Sequence, residues 1–135
     1  MPYAQERPNR QTEPAGELAS RSLAMPADTN PMGDMFGGWI MSLMDAAGAM
    51  TAMREAHGRV VTVAVSNITF HQPVKVGDVV CCYTSITRIG RTSITLAVEV
   101  WVLRQGQGDR EMVTSAEFTY VAMDAEGRKR TLGQN

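Results

Sequence analysis

The sequence lacks features that several large classes of protein require. Its 135 residues include only two cysteines, Cys81 and Cys82, and adjacent residues on a strand point to opposite faces of a sheet. Two such residues provide neither a disulfide framework nor a zinc site. No apolar run approaches the ~18 residues that a membrane-spanning helix needs. We therefore expect a protein without structural disulfides and without a helical membrane anchor.

Neither sign of charge dominates. Thirteen basic residues nearly balance fourteen acidic ones, giving a formal net charge of -1. Such a chain has no overall positive field to attract nucleic acid or an anionic membrane, so we expect neither as a partner. The motifs GxSxG, GxxxxGK[ST] and GxGxxG are also absent, which disfavours serine hydrolases, P-loop enzymes and nucleotide-dependent dehydrogenases.

The length and the hydrophobic fraction of 44% are those of a single globular domain. Residues 1–17 are polar and Pro-rich and lack the apolar run of a secretory signal, so we interpret them as a flexible tail. The domain itself is expected to span residues 18–132. The absence of a signal in this sequence favours a cytoplasmic location.

One long helix followed by four strands is the main prediction for the domain. Residues 37–58 are rich in Met, Leu and Ala, and apolar residues fall all round the helical wheel, which predicts a helix wrapped by the rest of the protein and capped at Gly58. A loop is predicted over 105–111, and strands are predicted over 18–25, 59–70, 79–88, 92–104 and 112–122. This order predicts an α+β fold in which an antiparallel sheet curls around the helix. Its exposed sheet edges favour a dimer or larger homo-oligomer.

Asp45 is the only ionisable side chain between Trp39 and Met53. Burying an unpaired carboxylate is costly, so something must compensate its charge. At 100° per residue, it shares a face with small residues, namely Gly38, Ser42, Ala49 and Ala52. Two interpretations remain open: a catalytic carboxylate beside a thin acyl or pantetheine chain, or a core aspartate held by Arg or by main-chain N–H groups.

Gly37 and Gly38 open the predicted helix. Free N–H groups at a helix N-terminus favour an oxygen that acquires negative charge, which suits a thioester carbonyl. The alternative is a plain loop-to-helix transition with Gly for close packing. Asp34 and Asn30 lie just before the glycines, where they would orient a water or the substrate, or act as turn and cap residues.

A predicted hairpin gathers Arg91, Thr92 and Ser93 with Arg88 around Gly90, which would suit phosphate groups, although solvated hairpin charges are commoner. Further single candidates for such a role are basic residues elsewhere, namely Arg59, Lys75 and the RKR run at 128–130. The two histidines, His57 and His71, have no apparent partner in the sequence, so we treat them as structural.

Six segments occur in a characteristic order between residues 18 and 132: AMPADTNPMGDMFGGWIMSLMDAAGAM, GRVVTVAV, QPVKVGDVVCCY, IGRTS, VEVWV and FTYVAMDAEGRKR. Together they resemble the bacterial acyl-CoA thioesterases of the YciA type, which are relatives of the mammalian cytosolic acyl-CoA thioester hydrolases. The resemblance implies a hot-dog fold, in which the sheet wraps one central helix. It also implies hot-dog dimers, commonly assembled into a hexamer as a trimer of dimers.

By position, the family's catalytic carboxylate falls on Asp45 and its glycine pair on Gly37 and Gly38. An asparagine that assists catalysis in the animal relatives corresponds to Asp34 here. The IGRTS turn corresponds to a segment near the CoA moiety. The residues expected to bind substrate or CoA are therefore Arg91, Thr92 and Ser93, with Asn30, Ser42 and Arg59 as further candidates.

The predicted function is hydrolysis of acyl-CoA to CoA and a carboxylic acid. Asp45 would act as general base or nucleophile while the helix N-terminus polarises the thioester carbonyl. No metal or cofactor is expected beyond the CoA of the substrate. Three alternatives remain: a non-catalytic acyl-CoA-binding module, a hot-dog hydratase or dehydratase that needs a His and carboxylate pair, and a purely structural oligomer.

Overall fold

The computed structural model describes residues 12–133, so residues 1–11 of the predicted tail and residues 134–135 lie outside the described part of the chain. It contains one long helix and five strands. In chain order these are β1 (Glu17–Leu23), α1 (Gly37–Ala56), β2 (Val60–Phe70), β3 (Val79–Ile89), β4 (Ser93–Arg104) and β5 (Gln107–Ala122). A single 3-10 turn, Pro26–Asp28, lies between β1 and α1.

All five strands form one sheet in the order β1-β3-β4-β5-β2. Every neighbouring pair is antiparallel, and β3, β4 and β5 follow one another as a meander. The connection through α1 carries the chain from one edge strand, β1, to the other edge strand, β2. The predicted α+β architecture, one long helix packed against an antiparallel sheet, is confirmed.

The core lies between α1 and one face of the sheet. The predicted alternation in β4 is confirmed, because its inward residues are completely buried: Ile94, Leu96, Val98, Val100 and Val102. From the helix, Ile40, Met44, Ala47 and Ala52 pack into the same cluster. Burial of these side chains is the main force that holds the helix on the sheet.

Only one face of α1 is covered within the chain. Met50 and Met53 on the other face are 45% and 42% exposed. The prediction of a helix wrapped on all sides is therefore wrong for a single chain, because the sheet covers one side of the helix only. An apolar helix face remains available for another molecule.

Two predicted boundaries are wrong. The strand β5 begins at Gln107, because Arg104 pairs with Gln107 across a two-residue turn in which Gln105 and Gly106 adopt φ of 53° and 74°. Extended pairing with β4 thus overrides the loop signals of residues 105–111. The helix ends at Ala56, and His57, not Gly58, takes the left-handed capping conformation with φ of 54°.

The sheet also buries side chains on its outer face. Cys82 belongs to the helix-side core, whereas Cys81 packs with Tyr83 and Trp101 on the opposite side, as the adjacent positions predict. Burial raises the pKa of the Cys82 thiol, although a hydrogen bond with Ser20 opposes this effect. Both cysteines are free thiols. Within residues 12–133, no helix has the length and apolar character required to cross a bilayer.

Candidate active site

The Asp45 carboxylate lies two turns into α1 and is held by two hydroxyl groups. Thr62 Oγ1 donates to Asp45 Oδ1 at 2.7 Å. The Tyr120 hydroxyl lies 3.0 Å from the same Oδ1 and 2.8 Å from the Asp45 main-chain oxygen, so these two acceptors share its single proton. In the described part of the chain no basic side chain forms an ion pair with Asp45. Its partners are therefore neutral, not the Arg or main-chain N–H groups that a purely structural role would use.

Strand pairing brings the two hydroxyls together. Thr62 of β2 lies directly opposite Tyr120 of β5, so both side chains project from the same face of the sheet toward α1. Gly48 lets the helix approach them, since a Cβ at that position would lie 2.3 Å from the Tyr120 hydroxyl oxygen. The sheet register and one helical glycine thus position the carboxylate.

Both donors reach the same carboxylate oxygen. Among residues 12–133, no donor bonds to Asp45 Oδ2, so this atom keeps its acceptor capacity. A carboxylate that is fixed through one oxygen and open at the other is suited to accept a proton from water or to attack a carbonyl carbon.

The start of α1 offers two unpaired main-chain donors. Trp39 and Ile40 direct their N–H groups to the Phe36 oxygen, while those of Gly37 and Gly38 have no acceptor within residues 12–133. Gly38 is exposed, and a Cβ at this position would meet nothing within 4 Å. Gly37 packs against the Phe70 ring, where an added Cβ would lie 3.1 Å from the nearest ring atom. The predicted role of these two N–H groups in polarising a thioester carbonyl stays a prediction.

The glycine pair and Asp45 are not close to each other within one chain. Gly38 and Asp45 share a helix face, as predicted, but seven residues of helix separate them by about 10 Å along the axis. Between them, the exposed Ser42 hydroxyl donates to the Trp39 oxygen at 3.1 Å.

Asn30 and Asp34 shape the loop before the helix. Asn30 Oδ1 accepts the Met32 and Asp34 main-chain N–H groups at 2.9 and 3.1 Å, which is a turn-stabilising arrangement. The Asp34 carboxylate forms an ion pair with Lys75 Nζ at 2.5 Å. Neither side chain contacts Asp45 within the described chain, so their predicted part in substrate binding or catalysis stays a prediction.

Two of the basic candidates, Arg59 and Arg91, lie at the C-terminal end of α1, whereas Lys75 pairs with Asp34 before its N-terminus. The helix places Ala56 about 16 Å beyond Asp45 along its axis. Arg91 lines a cavity of about 480 Å³ there with His57 and Leu132. Arg59 lines a neighbouring cavity of about 370 Å³ that His57 and Arg130 also border.

The hydroxyl residues of the IGRTS turn lie at the start of β4, at this same end. The main-chain oxygens of Thr92 and Ser93 accept the N–H groups of Ala122 and Gly90. Thr92 and Ser93 thus lie beside Arg91, and neither forms a hydrogen bond with Asp45 in the described chain.

Two members of the RKR run have structural partners. Arg130 Nη2 donates to the Ala56 oxygen at 2.6 Å and so caps the helix C-terminus. Arg128 forms ion pairs with Asp124 and Glu126. The buried His71 bonds through Nε2 to Ser115 at 2.9 Å, which agrees with a structural role.

Comparison with known proteins decides the family. A family model described as the thioesterase superfamily matches residues 32–108. The chain belongs to the thioesterase superfamily. The acyl-CoA thioester hydrolase YciA of Escherichia coli is 54% identical to this superfamily member over 122 residues, which cover 88% of this chain and 92% of that protein.

Solved structures of other superfamily members agree. A hexameric thioesterase from Yersinia pestis superimposes with a TM-score of 0.86 at 54% identity, covering 91% of this chain and 100% of that one. A hexameric hotdog fold thioesterase of Campylobacter jejuni gives 0.82 at 42% identity, covering 87% and 91%. The predicted hot-dog fold and the resemblance to YciA-type thioesterases are confirmed.

Three residues around Asp45 in this candidate site were not predicted from the sequence: Gly48, Thr62 and Tyr120. A glycine inside a helix is a signal of close approach, and a tyrosine in a buried strand needs a partner for its hydroxyl. Neither signal identifies the partner, because that depends on the register between β2 and β5.

Proposed function

We infer that this protein hydrolyses acyl-CoA thioesters to free CoA and a carboxylic acid. The observation that carries this inference is the Asp45 carboxylate, which is fixed through Oδ1 and open at Oδ2, in a chain 54% identical to an acyl-CoA thioester hydrolase. A further relative, an acyl-CoA hydrolase from Staphylococcus aureus, was solved with butyryl coenzyme A; it is 28% identical to this chain with a TM-score of 0.79, covering 84% of this chain and 69% of that one.

In the proposed reaction, the N–H groups of Gly37 and Gly38 bind the thioester oxygen and stabilise its developing negative charge. Asp45 Oδ2 takes a proton from water while the hydroxide adds to the carbonyl carbon. The C–S bond then breaks, and the proton passes to the departing CoA thiolate. In the alternative route, Oδ2 attacks the carbon directly, the C–S bond breaks and CoA leaves as the thiolate, which takes a proton from solvent. Water then hydrolyses the resulting anhydride to the free carboxylic acid and the Asp45 carboxylate. Both routes require Asp45 to be ionised.

We propose that two copies of the chain complete each site. The base must lie about 3 Å from the attacked carbon, and the N–H donors about 3 Å from the adjacent oxygen, so a separation of about 10 Å is too long. A two-fold axis passing near Ser42 would place Gly38 of one antiparallel helix beside Asp45 of the other. The exposed edge strand β2 and the uncovered face of α1 support such pairing. Hexameric relatives support assembly as a trimer of such dimers.

We propose that the C-terminal end of α1, where Arg59 and Arg91 lie, binds the nucleotide part of CoA. The pantetheine arm separates the thioester from the phosphates, so phosphate contacts are expected at a distance from Asp45. Arg59 and Arg91 are exposed there, with Thr92 and Ser93 alongside. Arg side chains suit phosphate because their planar donors bind two oxygens at once.

A carboxylate and two N–H donors supply the chemistry of thioester hydrolysis, so we propose that the enzyme needs no metal or other cofactor. We also propose a cytoplasmic location, which cell fractionation tests. A hydratase has no observation in its favour, because neither histidine contacts Asp45 in the described chain.

Release of free thiol from acyl-CoAs of graded chain length tests the function. The protein is assayed after dialysis against EDTA, with CoA binding measured in parallel. Thiol release at an undiminished rate supports both the activity and its independence of metal. Binding without release would instead favour the non-catalytic module.

A further inference from the structure

Tyr120 is completely buried, yet its hydroxyl oxygen lies within 3.0 Å of the Asp45 carboxylate. Burial raises the pKa of Tyr120 well above its ordinary value, and the neighbouring negative charge of Asp45 raises it further. The hydroxyl therefore keeps its proton throughout the working pH range. It acts toward Asp45 as a permanent donor, not as a proton-transfer group.

The tyrosine ring is held rigidly. It stacks on Phe118 with ring centroids 6.3 Å apart, and the Gly48 position leaves no room between ring and helix. Pairing with Thr62 across the strands fixes the hydroxyl beside a second donor. Such packing suits a group that must hold another side chain in one orientation.

We propose that Tyr120 is a positioning residue for hydrolysis: together with Thr62 it occupies Asp45 Oδ1, so that Oδ2 is the oxygen presented to the water or thioester. This assignment rests on the proposed function, in which Asp45 is the reacting carboxylate. Two donors on one oxygen also stabilise the ionised form of the carboxylate that both routes need.

The substitution Tyr120→Phe tests this role, because it keeps the ring and its packing and removes only the hydroxyl. We expect kcat to fall by about tenfold to a hundredfold, the fold-change that losing a hydrogen bond to a charged group produces. KM should change by less than about twofold, since the substrate-binding contacts remain. A loss confined to kcat distinguishes a positioning role from a general disturbance of the fold, which would also weaken substrate binding.

Tyr83→Phe is the matched control. Its hydroxyl accepts from Arg110 on the outer face of the sheet, away from Asp45, so its rate should be unchanged. A second pair covers the case in which Tyr120→Phe does not fold. Thr62→Val should lower kcat as Tyr120→Phe does, whereas Thr62→Ser, which retains the hydroxyl, should keep kcat close to that of the unaltered protein.

Two outcomes distinguish a failure of the positioning role from a failure of the proposed hydrolysis. If Asp45→Asn abolishes thiol release while the folded variants Tyr120→Phe and Thr62→Val leave kcat unchanged, the positioning role is wrong and the function survives. If Asp45→Asn keeps its activity, the proposed function fails first, and the positioning role fails with it.

Discussion

At the scale of single residues, the site depends on how the Asp45 charge is compensated. An arginine would neutralise the carboxylate and reduce its ability to accept a proton. Hydroxyl donors from Thr62 and Tyr120 instead stabilise the charge without cancelling it. This arrangement leaves a negatively charged oxygen available for reaction in a half-buried position.

The raised pKa of Tyr120 makes a prediction about alkaline stability. Folded Tyr120 keeps its proton at pH values where an unfolded tyrosine, with a pKa of about 10, loses it. The unfolded state then binds fewer protons than the native state, so the free energy of unfolding falls as pH rises above about 10. Urea unfolding from pH 8 to 11 should show a smaller fall for Tyr120→Phe than for the unaltered protein. Equal slopes would contradict the assignment.

Residue-level sequence reasoning reached Asp45 because it is a lone charge in an apolar helix. It did not reach Thr62 or Tyr120, whose contact with Asp45 depends on how two strands distant in sequence pair. Local patterns predict which groups need partners. They do not predict which partners the folded chain supplies.

At the scale of elements, the close approach of the helix to the sheet depends on the absence of a side chain at Gly48. Gly48 costs helix stability relative to alanine, by about 1 kcal/mol, yet a Cβ there would lie 2.3 Å from the Tyr120 oxygen and 3.0 Å from Leu96. The close approach of α1 to β5, and with it the bond from Tyr120 to Asp45, depends on this glycine.

The substitution Gly48→Ala should therefore destabilise the protein by about 1 to 3 kcal/mol, the usual cost of overpacking a core. Urea unfolding at equal protein concentration measures the change. If the Gly48→Ala variant is as stable as the unaltered protein, the helix and sheet are not tightly packed at this point.

The order and type of the elements could be predicted from the sequence because β-branched runs and one long Met-rich segment are strong signals. The start of β5 could not, since residues 107–111 are polar and carry turn signals, and only pairing with β4 makes them a strand. The coverage of the helix could not be predicted either, because an apolar wheel does not distinguish the chain's own sheet from a second copy.

At the scale of the whole molecule, the N–H donors of Gly37 and Gly38 and the Asp45 carboxylate lie on one face of the helix. They are too far apart in one chain to act on the same thioester. The exposed β2 edge, with Val61, Val63 and Val65 open, is suited to pairing with a second copy. The proposed assembly therefore does more than stabilise the fold, since it would bring a helix N-terminus to each Asp45.

Mixed assemblies test this arrangement. Gly37→Pro removes one N–H donor and suits the first helical position, because Phe36 before it has an extended ψ of 142°. The added Cβ would lie 3.1 Å from the Phe70 ring, which is 44% exposed and has room to shift. Alone, it should lower kcat by about a hundredfold or more. Refolding it with an equal amount of Asp45→Asn should restore about a quarter of the unaltered activity, because half the dimers are mixed and each has one intact site. No recovery in verified mixed dimers would place both groups of a site in one chain.

The central claim is that Asp45 performs the chemistry of thioester hydrolysis, and Asp45→Asn tests it most directly. Thr62 and Tyr120 can still donate to the amide oxygen, so the fold should persist, as unfolding and assembly size verify. We predict that thiol release from acyl-CoA falls by at least about a thousandfold while CoA binding is retained. A folded Asp45→Asn variant that still releases thiol at a substantial fraction of the unaltered rate would contradict the account.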